Sequence, residues 1–241
     1  MIHHKHARPF RLVVFIAIAL ILPGCAKKSV TEPDVLCGVS RSDLSGSVKH
    51  NPILFVHGYG GANENFCTMI DRFRADGWAE NELYAYDYSF VASFATDAEE
   101  IKTQIDAILA RTGASKVDII AHSAGAVSSR YYLKHLGGDS RVDAWVSLAG
   151  PNHGTDTADN CSFTPCLEIR IGSAFLADLN SGDETPGPVR YATWWSPCDE
   201  TINPDSSVLL VGATNTQTSC LVHYNLLVDP VVYSQVRDWV R

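Results

Sequence analysis

From residue 52 onward, short apolar runs typical of buried strands alternate with segments whose apolar residues recur at helical spacing. This alternation constrains the fold strongly, because parallel strands need crossover connections, and helices usually supply them. The apolar runs predict strands at residues 53–56, 83–88, 117–121, 144–148, 190–194 and 208–211. The helical patterns lie at residues 66–74, 98–109, 125–136 and 231–240. We therefore expect an α/β fold with a parallel sheet of about six strands and helices on both faces.

The N-terminus has the pattern of a secretory signal. A positively charged segment precedes an apolar run over residues 12–22, which is too short to span a bilayer. Residues 1–24 are therefore expected to be a signal peptide, and the protein is expected to be exported. Residues 22–25 also resemble a lipobox, in which Cys25 would be acylated and would anchor the protein at a membrane surface. Because Pro23 is unusual in a lipobox, simple secretion is the alternative.

The remaining chain is expected to form one domain over residues 51–241, preceded by a tether and N-terminal segment over residues 25–50. Six cysteines follow Cys25, and an even count in an exported chain predicts disulfides. Sequence alone allows about fifteen pairings. We expect neighbours along the chain to pair: Cys37 with Cys67, Cys161 with Cys166, and Cys198 with Cys220. None of these spacings is that of a zinc site, so no metal is expected.

The net charge of −8 disfavours a nucleic-acid partner, because nucleic-acid binding depends on basic side chains that neutralise phosphates. It also limits attraction to anionic lipid. The charge indicates no oligomeric state.

The segment from Lys116 to Val127 reads as an apolar strand that runs into a serine between small residues and then into a helix. This is the pattern of a nucleophile elbow, a tight turn that leaves room only for small residues two positions before and after the serine. Ala121 and Gly125 occupy those positions, and Ala121 departs from the commoner glycine. Ser123 is therefore the candidate nucleophile. The alternative is a serine that only caps a helix.

A serine nucleophile needs a base and an orienting acid, in the chain order serine, acid, histidine for this kind of sheet. His223 follows the last predicted strand and is the expected base. His153 also follows a strand and is the alternative. His135 is excluded, because it lies about twelve residues along the helix that Ser123 begins, roughly 18 Å away.

The acid is expected in the loop after the penultimate strand. Asp199 lies a few residues beyond that strand and is the candidate. Glu200 and Asp205 are its neighbours, whereas Asp183 and Glu184 precede the strand and fall at its opposite end.

Acyl transfer also needs N–H groups directed at the developing oxyanion. These are commonly the N–H after the nucleophile and one from the loop after the first core strand, which here belong to Ala124 and Tyr59. His57 is expected to shape that loop, and His122 to pack beside the elbow.

On these residues the chain resembles the small bacterial lipases of the α/β-hydrolase superfamily, lipase class 2, typified by compact Bacillus and Streptomyces enzymes. The matching segments are residues 51–61, 121–125, 151–155 and 196–199 and the segment around His223. The resemblance implies a minimal α/β-hydrolase fold. It also implies hydrolysis of esters of glycerol or related alcohols through an acyl-enzyme on Ser123, without a cofactor.

Between Gly150 and Pro188 the only helical pattern runs from Ile169 to Leu179, and it would either cover the acyl-binding cleft or pack in the core. No large lid is evident. We therefore expect an accessible site that suits short to medium acyl chains and depends weakly on an oil–water interface.

Two other functions fit the same residues. One is a different hydrolase on this scaffold, such as an amidase, a thioesterase or a polyester depolymerase. The other is an inactive lipoprotein that binds at a surface. In the expected reading the partners are a lipid or ester substrate and, through Cys25, a membrane surface.

Overall fold

The computed structural model describes Cys37, residues 47–89 and residues 92–241. The predicted signal peptide and Cys25 lie outside the described residues, as does the predicted tether apart from Cys37 and residues 47–50. No helix within the described ranges is long and apolar enough to cross a membrane.

Six strands form one sheet: β1 (Ile53–Val56), β2 (Leu83–Ala85), β3 (Val117–His122), β4 (Val142–Leu148), β5 (Arg190–Trp195) and β6 (Thr214–Gln217). Their order across the sheet is β2-β1-β3-β4-β5-β6, and every neighbouring pair is parallel. The expected parallel sheet of about six strands is thus confirmed.

Helices cover both faces of the sheet, as expected. They are α1 (Cys67–Ala75), α2 (Phe94–Thr112), α3 (Gly125–His135), α4 (Thr164–Glu168), α5 (Ala174–Leu179) and α6 (Pro230–Trp239). Alternate strand residues point to opposite faces, so Ile53 and Phe55 pack with α1 and α6, whereas Leu54 and Val56 pack with α2 and α3. Burial on both faces explains why the central strands read as continuous apolar runs.

The prediction for the last strand was wrong. Residues 205–208 form a 3-10 helix, and the sixth strand is Thr214–Gln217, which pairs with β5. This strand lies at the edge of the sheet and is largely exposed, so it lacks the apolar pattern that identifies a buried strand. Val208 and Leu210 are buried in the core clusters on the two faces of the sheet, which explains why this segment has apolar residues.

The connection between β4 and β5 also differs from its predicted pattern. The expected helical segment from Ile169 to Leu179 is only helical from Ala174, and the short helix Thr164–Glu168 precedes it. Leu176 and Leu179 are buried in the core, which favours the packing alternative for this half of the segment. The loops after β1, β3, β4 and β5 meet at the carboxyl edge of the sheet, where parallel sheets commonly bind ligands.

Candidate active site

Ser123 lies in the turn between β3 and α3 with a φ of 53°, in the left-handed region. A residue with a Cβ adopts this backbone only where the surrounding structure holds it there. Part of that support comes from the neighbouring strand, because the Ser123 N–H donates to the Leu148 carbonyl oxygen at 2.9 Å. This strained strand-to-helix turn is the geometry expected of a nucleophile elbow.

Two positions at this turn require glycine, because neighbouring atoms leave no room for a Cβ. A Cβ on Gly125 would lie 2.4 Å from the His57 carbonyl oxygen, and one on Gly58 would lie 2.6 Å from the Ser123 Cβ. The loop after β1 therefore packs directly against the elbow. By contrast, Ala121 is fully buried in the core, where its methyl group is accommodated.

The structure brings Asp199 and His223 together. The His223 Nδ1 lies 2.9 Å from Asp199 Oδ2 and 3.0 Å from Oδ1. The two side chains are nearly buried, with exposures of 12% for His223 and 2% for Asp199. A carboxylate beside Nδ1 favours the tautomer protonated there, which leaves Nε2 as an acceptor.

Asp199 is held in its ionised form. Burial raises its pKa, but the hydrogen bonds from the His223 ring and from the N–H groups of Thr201 and Ile202 outweigh this effect and lower the pKa below its ordinary value. Because folding lowers the pKa of Asp199, the ionised carboxylate stabilises the folded protein at pH values above the ordinary pKa of an aspartate. That stability is lost as pH falls through the folded-state pKa.

The loops that carry Asp199 and His223 are joined in two ways. A disulfide links Cys198 to Cys220. In addition, the buried Ser196 hydroxyl donates to the Leu221 carbonyl oxygen at 2.6 Å and accepts the N–H groups of Leu221 at 2.8 Å and of Cys198 at 3.1 Å. No role was predicted for Ser196 from the sequence, because nothing in its local pattern shows that its partner Leu221 lies 25 residues away along the chain.

His122 packs against His223, the candidate base, next to the serine turn. Its ring centroid lies 4.6 Å from that of His223, and its Nε2 lies 3.3 Å from the His223 carbonyl oxygen. Burial and the adjacent His223 lower the pKa of His122 to about 3, so its ring is neutral at physiological pH. His57 is also buried, stacks on Tyr88 and contacts the Gly58 carbonyl oxygen, which fits the loop-shaping role expected for it.

The alternative base His153 and the excluded His135 both lie elsewhere and have carboxylate partners. His153 pairs with Glu184 at 2.9 Å, and His135 with Asp178 at 3.2 Å. Glu200, the neighbour of the candidate acid, accepts the backbone N–H of His223 at 2.9 Å rather than contacting its ring.

A cavity of about 510 Å³ opens at this edge of the sheet. Ser123, His223, Tyr59 and Ala124 all line it, and Asp199 lies behind His223. The volume is in the range of small-molecule sites. No cluster of three or more potential metal ligands occurs among the residues that the structure describes.

The three disulfides of the structure are the pairs expected from the sequence: Cys37–Cys67, Cys161–Cys166 and Cys198–Cys220. Their presence is consistent with an extracellular protein, because disulfides persist in oxidising compartments.

Comparison with solved structures shows the fold. A Bacillus licheniformis lipase in its mature form superposes with a TM-score of 0.70 at 16% identity, covering 81% of this chain and 96% of that one. Lipase B of Aspergillus fumigatus gives 0.68 at 17% identity, covering 78% of this chain and 52% of that one. An α/β-hydrolase enzyme from lagoon sediment of Mar Chica, Morocco, gives 0.56 at 18% identity, covering 80% of this chain and 90% of that one.

Comparison of sequences shows the family. A triacylglycerol lipase of Pseudomonas fragi is 31% identical over 136 residues, which cover 54% of this chain and 44% of the relative. The matched region thus spans less than half the length of that curated relative. The model of the family Lipase (class 2) matches residues 50–224, well over half of the chain. The protein therefore belongs to the class 2 lipase family and has an α/β-hydrolase fold.

Proposed function

We propose that this protein is an exported serine hydrolase that cleaves carboxylic esters of glycerol or similar alcohols through an acyl-enzyme on Ser123. Membership of the class 2 lipase family supports ester hydrolysis. The observation that carries the mechanism is the His223–Asp199 pair at 2.9 Å, with His223 lining the same cavity as Ser123 on its strained turn.

In the proposed reaction the Ser123 oxygen attacks the ester carbonyl carbon while its proton passes to Nε2 of His223. Asp199 stabilises the resulting imidazolium through the Nδ1–H bond. When the tetrahedral intermediate collapses, the imidazolium gives its proton to the departing alcohol and the acyl group stays on Ser123. In deacylation the same histidine takes a proton from a water molecule as the water oxygen adds to the acyl carbon. The second tetrahedral intermediate then collapses, the imidazolium returns the proton to the Ser123 oxygen, and the carboxylic acid leaves.

The oxyanion of each tetrahedral intermediate is proposed to accept hydrogen bonds from the N–H groups of Tyr59 and Ala124. Both residues line the cavity with Ser123, and the close packing of Gly58 on the elbow keeps the Tyr59 loop beside the serine. Such preorganised donors stabilise developing charge at little reorganisation cost.

Covalent labelling tests the proposed mechanism. A fluorophosphonate probe is expected to form one adduct, and peptide mass spectrometry should locate it on Ser123. His223→Ala should label far more slowly, because the serine then lacks its base. The matched control is His153→Ala, which should label at the wild-type rate because His153 pairs with Glu184 and does not line the cavity. A folded wild-type protein that never labels would instead favour the inactive, surface-binding role.

We propose further that residues 51–241 form the catalytic domain, that residues 1–24 direct export and that Cys25 carries a lipid anchor. The sequence of residues 12–25 supports this proposal, and the three disulfides fit an oxidising compartment.

Metabolic labelling of the producing cells with a palmitate analogue tests the anchor. The full-length protein is expected to incorporate the label and to sediment with membranes. A lipoprotein cysteine carries more than one acyl chain, and two chains are enough for stable membrane attachment. Cys25→Ala should remove both properties, whereas Cys37→Ala should keep the label. Unlabelled wild-type protein in the medium would identify simple secretion.

A further inference from the structure

One wall of the cavity comes from the connection between β4 and β5. The residues that this connection contributes to the lining are Pro151, Thr155, Thr157, Ala158, Cys161, Cys166 and Ile169. Most of this surface is apolar or carries only a small hydroxyl. It therefore suits a hydrocarbon chain better than a charged or strongly polar group.

This wall is cross-linked. The Cys161–Cys166 disulfide closes a loop with a sequence separation of 5, and both cysteines line the cavity. The Arg170 guanidinium donates to the Cys161 carbonyl oxygen at 2.8 Å. Across the base of the loop, the Thr155 N–H donates to the Ile169 carbonyl oxygen at 3.0 Å.

The wall is also attached to the body of the protein. Glu168 accepts the Ser93 hydroxyl at 2.5 Å and the Phe94 N–H at 2.8 Å, at the first turn of α2. A carboxylate at a helix N-terminus is favourable for both hydrogen bonding and the helix dipole. Cys166 and Ile169 are almost fully buried, and Ile169 packs in a core cluster with α3 and α5. The loop is therefore fixed by buried contacts with the core as well as by the disulfide and the hydrogen bonds at its ends.

We propose that the wall closed by the Cys161–Cys166 disulfide determines substrate specificity by limiting the length of the acyl chain that the cavity accepts. This inference rests on the proposed function, because it concerns the acyl group carried by Ser123. Because the disulfide and the hydrogen bonds fix this wall in place, it cannot move to make room for a longer acyl chain. The additional methylene groups of such a chain therefore find no space in the cavity. Opening the cross-link allows the segment between the two cysteines to move away and admits longer chains.

The test is the ratio of kcat/KM for p-nitrophenyl laurate to that for p-nitrophenyl butyrate, below the solubility limit of each ester. In the Cys161→Ala/Cys166→Ala double variant this ratio is expected to rise about tenfold, within the range that a few methylene groups contribute in an apolar pocket. Both esters release the same alcohol, so the ratio reports the acyl side. Both are measured on one preparation, so the fraction of folded enzyme cancels.

Two further variants complete the design. Ile169→Ala enlarges the same wall without breaking the cross-link, and it should raise the ratio in the same direction. The matched control is Cys37→Ala/Cys67→Ala, which removes a disulfide whose cysteines do not line the cavity. Its ratio should remain that of the wild type, even if its stability falls.

The outcomes separate this inference from the proposed function. A wild-type protein that hydrolyses neither ester contradicts the proposed function and this inference together. A wild-type protein that hydrolyses esters, with an unchanged ratio in both wall variants, overturns the specificity role alone. An equal rise in the Cys37→Ala/Cys67→Ala control also overturns it, because the effect would then follow from general loosening of the fold.

Discussion

Ser123→Ala is expected to lower kcat for ester hydrolysis by about 10⁶-fold, the scale of loss when a serine nucleophile is removed from a complete triad. The variant has no hydroxyl to form the acyl-enzyme, so only attack by water assisted by the remaining site survives. The fold should be retained, because alanine has the same Cβ as serine at a φ of 53°. Single-turnover measurement with p-nitrophenyl butyrate, together with thermal unfolding, checks both points.

The matched control for this variant is Ser128→Ala, one turn further along α3. The Ser128 hydroxyl is buried and donates to the Gly125 carbonyl oxygen at 3.2 Å, so it has no place in the proposed chemistry. This variant should keep most of the wild-type activity. If Ser123→Ala remained active while folded, the proposed acyl-enzyme on Ser123 would be wrong.

Asp199→Asn is expected to reduce kcat by about 10⁴-fold at neutral pH, as expected when the acid of a triad becomes an amide. The Asn oxygen can still accept the Thr201 and Ile202 N–H groups that Asp199 binds, so the loop keeps its shape. The amide NH₂ then faces Nδ1 of His223 as a donor. It favours the tautomer with the proton on Nε2, and that nitrogen can no longer accept the serine proton.

Glu200→Gln is the matched control, since it makes the same chemical change one residue away. Glu200 binds the backbone N–H of His223 at 2.9 Å, and a glutamine oxygen can accept the same bond. We expect a small loss of activity, visible in kcat/KM from pH 5 to 9. If Glu200→Gln lost more activity than Asp199→Asn, Glu200 and not Asp199 would be the acid that orients His223.

The sequence predicted the fold correctly in those elements whose burial requires a recognisable pattern of apolar residues. The central strands, such as Val117–His122, are covered on both faces and are therefore apolar throughout. The edge strand Thr214–Gln217 was missed because it is largely exposed and its residues are polar. Val208 and Leu210 led to the wrong strand prediction. Both are buried, but an apolar residue indicates only that it is buried and not whether it lies in a strand, a helix or a loop.

For the candidate site, the sequence predicted a serine, an acid and a histidine in order, but not the contacts that surround them. Ser123, Asp199 and His223 were selected because each follows a predicted strand in the required order, and their catalytic roles stay predictions. The contact of His122 with His223 and the bonds of Ser196 between two loops join residues far apart along the chain. No local pattern records such contacts.

The sequence by itself determined the layered parallel sheet, the strained serine turn and the neighbouring cysteines available for pairing, because each depends on local residue type, spacing or periodicity. Only the tertiary structure decided which histidine meets Asp199, why Gly58 must lack a side chain and which loop forms the cross-linked cavity wall. These features arise where separate loops meet at one edge of the sheet. Their geometry is set by packing between distant segments, which the order of residues along the chain does not display.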